Sequence, residues 1–222
     1  MNLRLIISAI FFAALVVSAG TTISAQNFDI SSGGQPTITG SLGGSITGSA
    51  SVLNNLSVTI NFGEISPANT NSLVYVVVPI GIRSSKPYQV AVTLSGLGNA
   101  NAQALQASDI GFGANNIVAM GANSQVCTHH SHIFYSPFNN DPAVTETIAA
   151  NGRVTYQSTL ANISGSTVIL SGPTLTKGSI TRSTNNGYVF NSIFAITPQF
   201  FAAGASSATL TFTISAGPSV SC

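Results

Sequence analysis

The chain has 222 residues, of which 44% are hydrophobic and only 5% charged, with six basic and five acidic side chains and a formal net charge of +1. That balance excludes a nucleic-acid interface, which needs clustered Lys and Arg, and a polybasic patch for a membrane surface. So little charge also leaves little to oppose self-association.

Met1-Asn2-Leu3-Arg4 is followed by an apolar run from Leu5 to Val17 and then by small residues up to Ala25. A charged start, an apolar stretch and a small-residue cut define a secretory signal peptide, 1–25, cleaved between Ala25 and Gln26. The apolar run is short for a bilayer span, and no later segment is long and apolar enough. The mature chain is therefore expected to be secreted or held at the cell surface, without a membrane span. Beyond the leader the sequence divides into an N-terminal arm or first strand, 26–52, and a body, 53–222.

Gln26 to Pro36, with Ser31-Ser32-Gly33-Gly34, reads as a flexible arm. From Thr37 every second residue is apolar or glycine: Ile38, Gly40, Leu42, Gly44, Ile46, Gly48, Ala50, Val52, then Leu56, Val58, Ile60 and Phe62 beyond a turn at Asn54-Asn55. Side chains alternate faces along a strand, so this line writes one apolar and one polar face. Its glycines suit a groove that has no room for side chains at some positions. Three readings stay open: an arm donated to another subunit, the domain's own first strand, or a disordered lead-in.

Leu73–Ile80 is a continuous β-branched run, expected to be a buried strand that ends at Pro79, which cannot donate to a ladder. Ser84-Ser85-Lys86-Pro87 is a turn, and Tyr88–Leu94 alternates with Tyr88, Val90, Val92 and Leu94 on one face. Ala102–Ser108 has helical composition for at most about two turns, judged at about 3.6 residues per turn. Ile110–Met120 is rich in Gly and Asn and reads as a short strand pair or an irregular connection. Arg153–Leu160 alternates again, Thr167–Leu170 and Ser179–Thr181 are short strands, and Asn185-Asn186-Gly187 is a hairpin-type turn before Tyr188–Thr197. Ala208–Ile214 sets Ala208, Leu210, Phe212 and Ile214 against three threonines. Short strands at even spacing with almost no helix indicate an all-β fold, an immunoglobulin-like β-sandwich in a single domain.

Two cysteines remain, Cys127 and Cys222. Export makes a disulfide between them the default. Closing a loop of about a hundred residues is worth about 4–5 kcal/mol in the chain-entropy model. The other reading is a free or intermolecular thiol.

Two stretches carry a family resemblance. Val58-Thr59-Ile60-Asn61-Phe62-Gly63-Glu64-Ile65, and Pro198-Gln199-Phe200-Phe201-Ala202-Ala203-Gly204 with the alternating strand after it, resemble the early and closing strands of chaperone–usher fibre (pilin-like) subunits and of spore-coat-U-type secreted domains. The resemblance covers both ends of the mature chain and leaves the middle unmatched. It departs at the cysteines, because typical members place one disulfide near the N-terminal strand. It implies an incomplete sandwich completed by the arm of the next subunit, that is, β-strand addition at an open edge. Under that reading Ile38, Gly40, Leu42, Gly44, Ile46 and Gly48 form the assembly arm. The partners would be further copies or homologous subunits and a periplasmic chaperone.

Chemistry-bearing residues gather once, at Cys127-Thr128-His129-His130-Ser131-His132. His130 and His132 share a face if extended and can both reach one zinc or copper ion. The blander reading, a solvated loop without metal or other cofactor, is preferred because no second ligand cluster accompanies them. Tyr135, beside them in Phe134-Tyr135-Ser136-Pro137-Phe138, could stack on a sugar, as could Tyr75, Tyr88, Tyr156 and Tyr188. A monomeric secreted module recognising a glycan or another surface ligand through Cys127–Pro142 is the alternative function. An enzyme is not expected. No Gly-x-Ser-x-Gly elbow is present, and Asp29, Glu64, Asp109, Asp141 and Glu146 show no spacing that pairs carboxylates for glycoside hydrolysis.

Overall fold

The computed structural model describes residues 27–39, 45–48, 54–65, 73–99, 106–120, 131–150, 154–175, 180, 187–197 and 204–221. The signal peptide, Gly40, Leu42, Gly44, Cys127, His129, His130 and Cys222 lie outside them.

Alternating apolar residues build two antiparallel sheets. One holds β1 (Phe28–Ser32), β5 (Val74–Ser84), β12 (Tyr188–Ile196) and β7 (Gly111–Ala119) in that order, with β2 (Thr37–Thr39) also on β5. The other runs β3 (Ser45–Gly48), β4 (Asn55–Ile65), β13 (Gly204–Ala216), β6 (Tyr88–Asn99), β11 (Thr167–Gly172) and β8 (Ile133–Phe134). A separate ribbon pairs β9 (Thr147–Ile148) with β10 (Val154–Thr155). The inward residues of both sheets, among them Val76, Ile80, Phe190 and Phe194 from one and Val58, Ile60, Leu210 and Phe212 from the other, merge into one buried cluster. This is the expected all-β sandwich. From β4 to β13 each long strand lies in the sheet opposite the one before it, a winding of jelly-roll type. Immunoglobulin domains keep several successive strands in one sheet.

The closing strand follows its sequence pattern: Ala208, Leu210, Phe212 and Ile214 are buried, and the threonines face out. On that outer face Thr59 and Thr209 hydroxyls meet at 2.9 Å, Ser95 and Thr211 at 2.7 Å, and Thr213 donates to Asn55 at 2.6 Å. Cross-strand hydroxyl pairs thus do on this face what ion pairs do on more charged sheets.

Several expectations need correction. Residues 28–32 are not a loose arm but a strand, because Phe28 and Ile30 alternate inward and Ile30 is fully buried. The line from Thr37 to Val52 is not one strand: Thr37–Thr39 pairs with β5 and Ser45–Gly48 with β4, so the chain changes sheets between them. Strand β5 does not stop at Pro79 but runs on to Ser84. Gly33 N donates to Pro79 O at 2.9 Å. In a strand a residue's N–H and C=O point the same way, so the donor Pro79 lacks faces β1–β2 and the ladder breaks there, between Ser32 and Thr37. Strand β4 passes Phe62 through a bulge at Gly63, which has φ 80°.

Ile110–Met120 is mostly the nine-residue strand β7, carried through a bulge at Asn116 (φ 49°), rather than a loop-like link. Its glycines are there for close approach. A Cβ on Gly111 would stand 2.7 Å from Pro142, and one on Gly113 would strike the Asn140 carbonyl. Of the described part of the expected strand Arg153–Leu160, Val154–Thr155 forms a ladder and Thr159 a single bridge to Gly111, while Val154, Tyr156 and Ser158 share a buried face. Of the expected helix Ala102–Ser108, the described part is a 3-10 turn at Ala107–Asp109. An unanticipated helical turn, α1 (Pro142–Thr145), is N-capped by Asp141, whose carboxylate accepts from Ala143 N at 3.0 Å.

Two substitutions in this core should move stability in opposite senses. Phe212→Ala is expected to cost about 3–5 kcal/mol of unfolding free energy, a transfer loss plus a cavity. Ser192 is fully buried and its hydroxyl has no hydrogen-bond partner, so Ser192→Ala should be neutral or stabilising by up to about 1 kcal/mol. Denaturant titration of both variants checks the pair.

Candidate functional site

The outer strand of a sheet carries unpaired backbone groups, so how each edge is closed decides where another chain can add. The sandwich has four edges. On one side β7 is covered by later chain: Ala114 N donates to Phe138 O at 2.7 Å and Phe112 N to Ser158 O at 3.0 Å. The neighbouring edge, β11, is paired by β8. Helix α1 and the β9–β10 ribbon lie over the same side, and Val154, Tyr156 and Ala195 form a second small core outside the first sheet.

Among the described residues, the strands that edge the other side all come from the N-terminal segment. β1 and β2 edge the first sheet on β5, and β3 edges the second on β4. A cleft of about 240 Å³ lies between these edges, with Ile46, Leu56, Val58 and Val78 in its walls and Ser32, Gln35, Pro36 and Pro79 around it. None of its described lining residues is charged. Ligand pockets usually enclose about 300–1,000 Å³, so this one suits a side chain or two of an extended chain better than a whole small molecule.

β1 is fixed by more than its ladder. Asp29 stands directly opposite Arg83, and Arg83 Nη1 donates to Asp29 Oδ2 at 3.1 Å and to Ser31 Oγ at 3.2 Å. The two charged side chains are 3% and 5% exposed. Gly187 lets the neighbouring strand close over the arginine stem, since a Cβ there would come within 2.8 Å of Arg83 Cγ. Sequence reasoning weighed Asp29 only as one of five carboxylates that could pair for glycoside hydrolysis and passed over Arg83. The signal was available: two opposite charges at outward strand positions of a nearly charge-free chain.

Where the expected loop site is described, His132 and Tyr135 are half-buried against the body of the domain. The His132 ring lies 4.9 Å from that of Tyr188 and 6.0 Å from that of Tyr88, centroid to centroid. Gly172 sits against both His132 and Tyr88, 2.6 Å from each if given a Cβ. Tyr135 shares a 2.9 Å hydrogen bond with Ser171, and its backbone N donates to Ile169 O. His130 and both cysteines fall outside the described residues, so neither the two-histidine pair nor the disulfide is placed. Among the described residues no three of His, Cys, Asp and Glu come together for a metal ion. Tyr88, Tyr156 and Tyr188 are core, and half-buried Tyr75 donates to Asp141 at 2.9 Å. Of the assembly-arm residues, Ile38 pairs with Val76, Ile46 with Ile60 and Gly48 with Val58.

Burial raises the Tyr88 hydroxyl well above its ordinary range, and neighbouring Tyr188 pushes the same way. Tyr156 is raised from 10.0 to about 12, mainly by burial. Tyr75 is raised from 10.0 to about 12 by burial and by the Asp141 carboxylate it donates to. Between these values the unfolded chain has lost protons that the folded chain keeps, so stability falls as pH rises. We expect the denaturant midpoint to drop from pH 10 towards 12, and to drop less steeply in Tyr156→Phe. Ultraviolet titration showing every tyrosine ionised near pH 10 in a folded protein would contradict this.

No family model matches the chain, and neither a curated protein nor a solved structure is found that resembles it. Among the described residues no helix is long and apolar enough to cross a membrane.

Proposed function

We propose that the protein is a secreted structural or adhesive subunit of a surface fibre or coat, assembling by β-strand addition. One observation carries the reading: a single N-terminal segment forms both sheet edges on one side of the sandwich and flanks the cleft between them. Displacing it would bare the backbone ladders of β4 and β5 together with the apolar wall between them. An extended strand from another copy meets both demands, ladder bonds and alternate side chains. The near-neutral composition supports the same reading, because neighbours would meet without charge repulsion. The closed far side directs addition to one face. Export through the N-terminal leader and escort by a periplasmic chaperone, which would cover the edges before assembly, belong to the proposal.

Light scattering after non-reducing size exclusion tests it. The exported protein should elute as oligomers or a ladder that collapses to monomer after mild heating in denaturant. Removing residues 26–50 should abolish the ladder. A sharp monomer from the intact chain, or a ladder that survives the truncation, overturns the proposal.

A further inference from the structure

Burying an ion pair is a poor way to gain stability. Desolvation costs several kcal/mol per ion, and a well-packed apolar pair of similar volume is often equal or better. What a buried pair does supply is registry. The apolar pattern of β1 does not set its register by itself. A slip of two residues along β5 keeps the inward face inward and places Phe28 or Ser32 where Ile30 now sits. The same slip puts Arg83 opposite Asn27 or Ser31 and Asp29 opposite Ser85 or Gly81, leaving both charges buried without each other. Only the observed register joins Asp29 to Arg83, with Ser31 as the second acceptor on the same outward face.

We infer that Arg83 is the residue by which β5 selects its edge strand, and that in the assembled protein the Asp29–Arg83 pair forms between copies, the acid coming from β1 of one chain and the arginine from β5 of the next. This rests on the strand-addition reading above and specifies it. The donated element begins at Phe28, ahead of the line from Ile38 to Gly48. The partner is a second copy of this chain, or a homologue with an acid at the matching place. A strand without that acid is rejected even if its apolar pattern fits.

The test is a contest between two full-length chains, the wild type and the double reversal Asp29→Arg with Arg83→Asp. Each carries a matched pair and should assemble with itself. Across a mixed junction arginine would face arginine or aspartate would face aspartate. The two chains, labelled with different dyes and refolded together, should form mixed neighbours at least tenfold less often than random mixing gives. Should the reversed chain fail to fold, Asp29→Asn with Arg83→Gln replaces it, since a mixed junction then buries one unpaired charge, and the same exclusion is expected. Random mixing of two chains that each assemble overturns the inference while leaving strand addition standing. A wild-type chain that stays monomeric overturns both.

Discussion

Backbone hydrogen bonding at the sheet edges is the constraint on which the rest of the molecule depends. The core needs no special device: alternating Val, Ile, Leu and Phe on two sheets fill the space between them. Edges are harder in a chain that has almost no lysine or glutamate to place along them, the usual deterrent to unwanted pairing. The protein uses covering chain instead. The described parts of 131–162 lie along one side, and Gly111 and Gly113 admit them against the outer face of β7. The opposite side has the N-terminal segment and nothing else among the described strands.

That asymmetry gives the buried ion pair its meaning. A strand whose every neighbour comes from the same sheet and the same core, such as β13, is specified many times over. Edge strand β1 has five ladder pairs, Phe28 and Ile30 on its inward side, and Asp29 and Ser31 both bonded to Arg83 on its outward side. The outward contacts of the strand therefore converge on one guanidinium.

The two sheets were legible in the sequence wherever a strand lies between the core and solvent. Ala208–Ile214 and Tyr88–Val92 could be read residue by residue because alternation maps directly onto burial. Three things could not be read. Strand β7 has glycines where another segment covers its outer face and an asparagine in the left-handed region at its bulge, and together they mimic a loop. The line from Ile38 to Gly48 hides a change of sheet, since a period of two is the same on either sheet. Pro79 looked like a terminator because its missing donor was taken to belong to a paired edge, whereas it faces the gap between β1 and β2. The N-terminal edge was half legible: the alternation pointed to it, but Asp29 and Arg83 are 54 residues apart and meet only through the register.

Pro79 also sets how that edge can come undone. Because it interrupts the ladder, the N-terminal border is two short zippers, five pairs and three, with separate anchorages on one strand. Under the proposed strand addition, one could open while the other held. A competing strand would not have to wait for the resident segment to leave: it would seat on a vacated rung beside Val76 and advance towards Ile82, a branch migration in protein form with the arginine as its last gate.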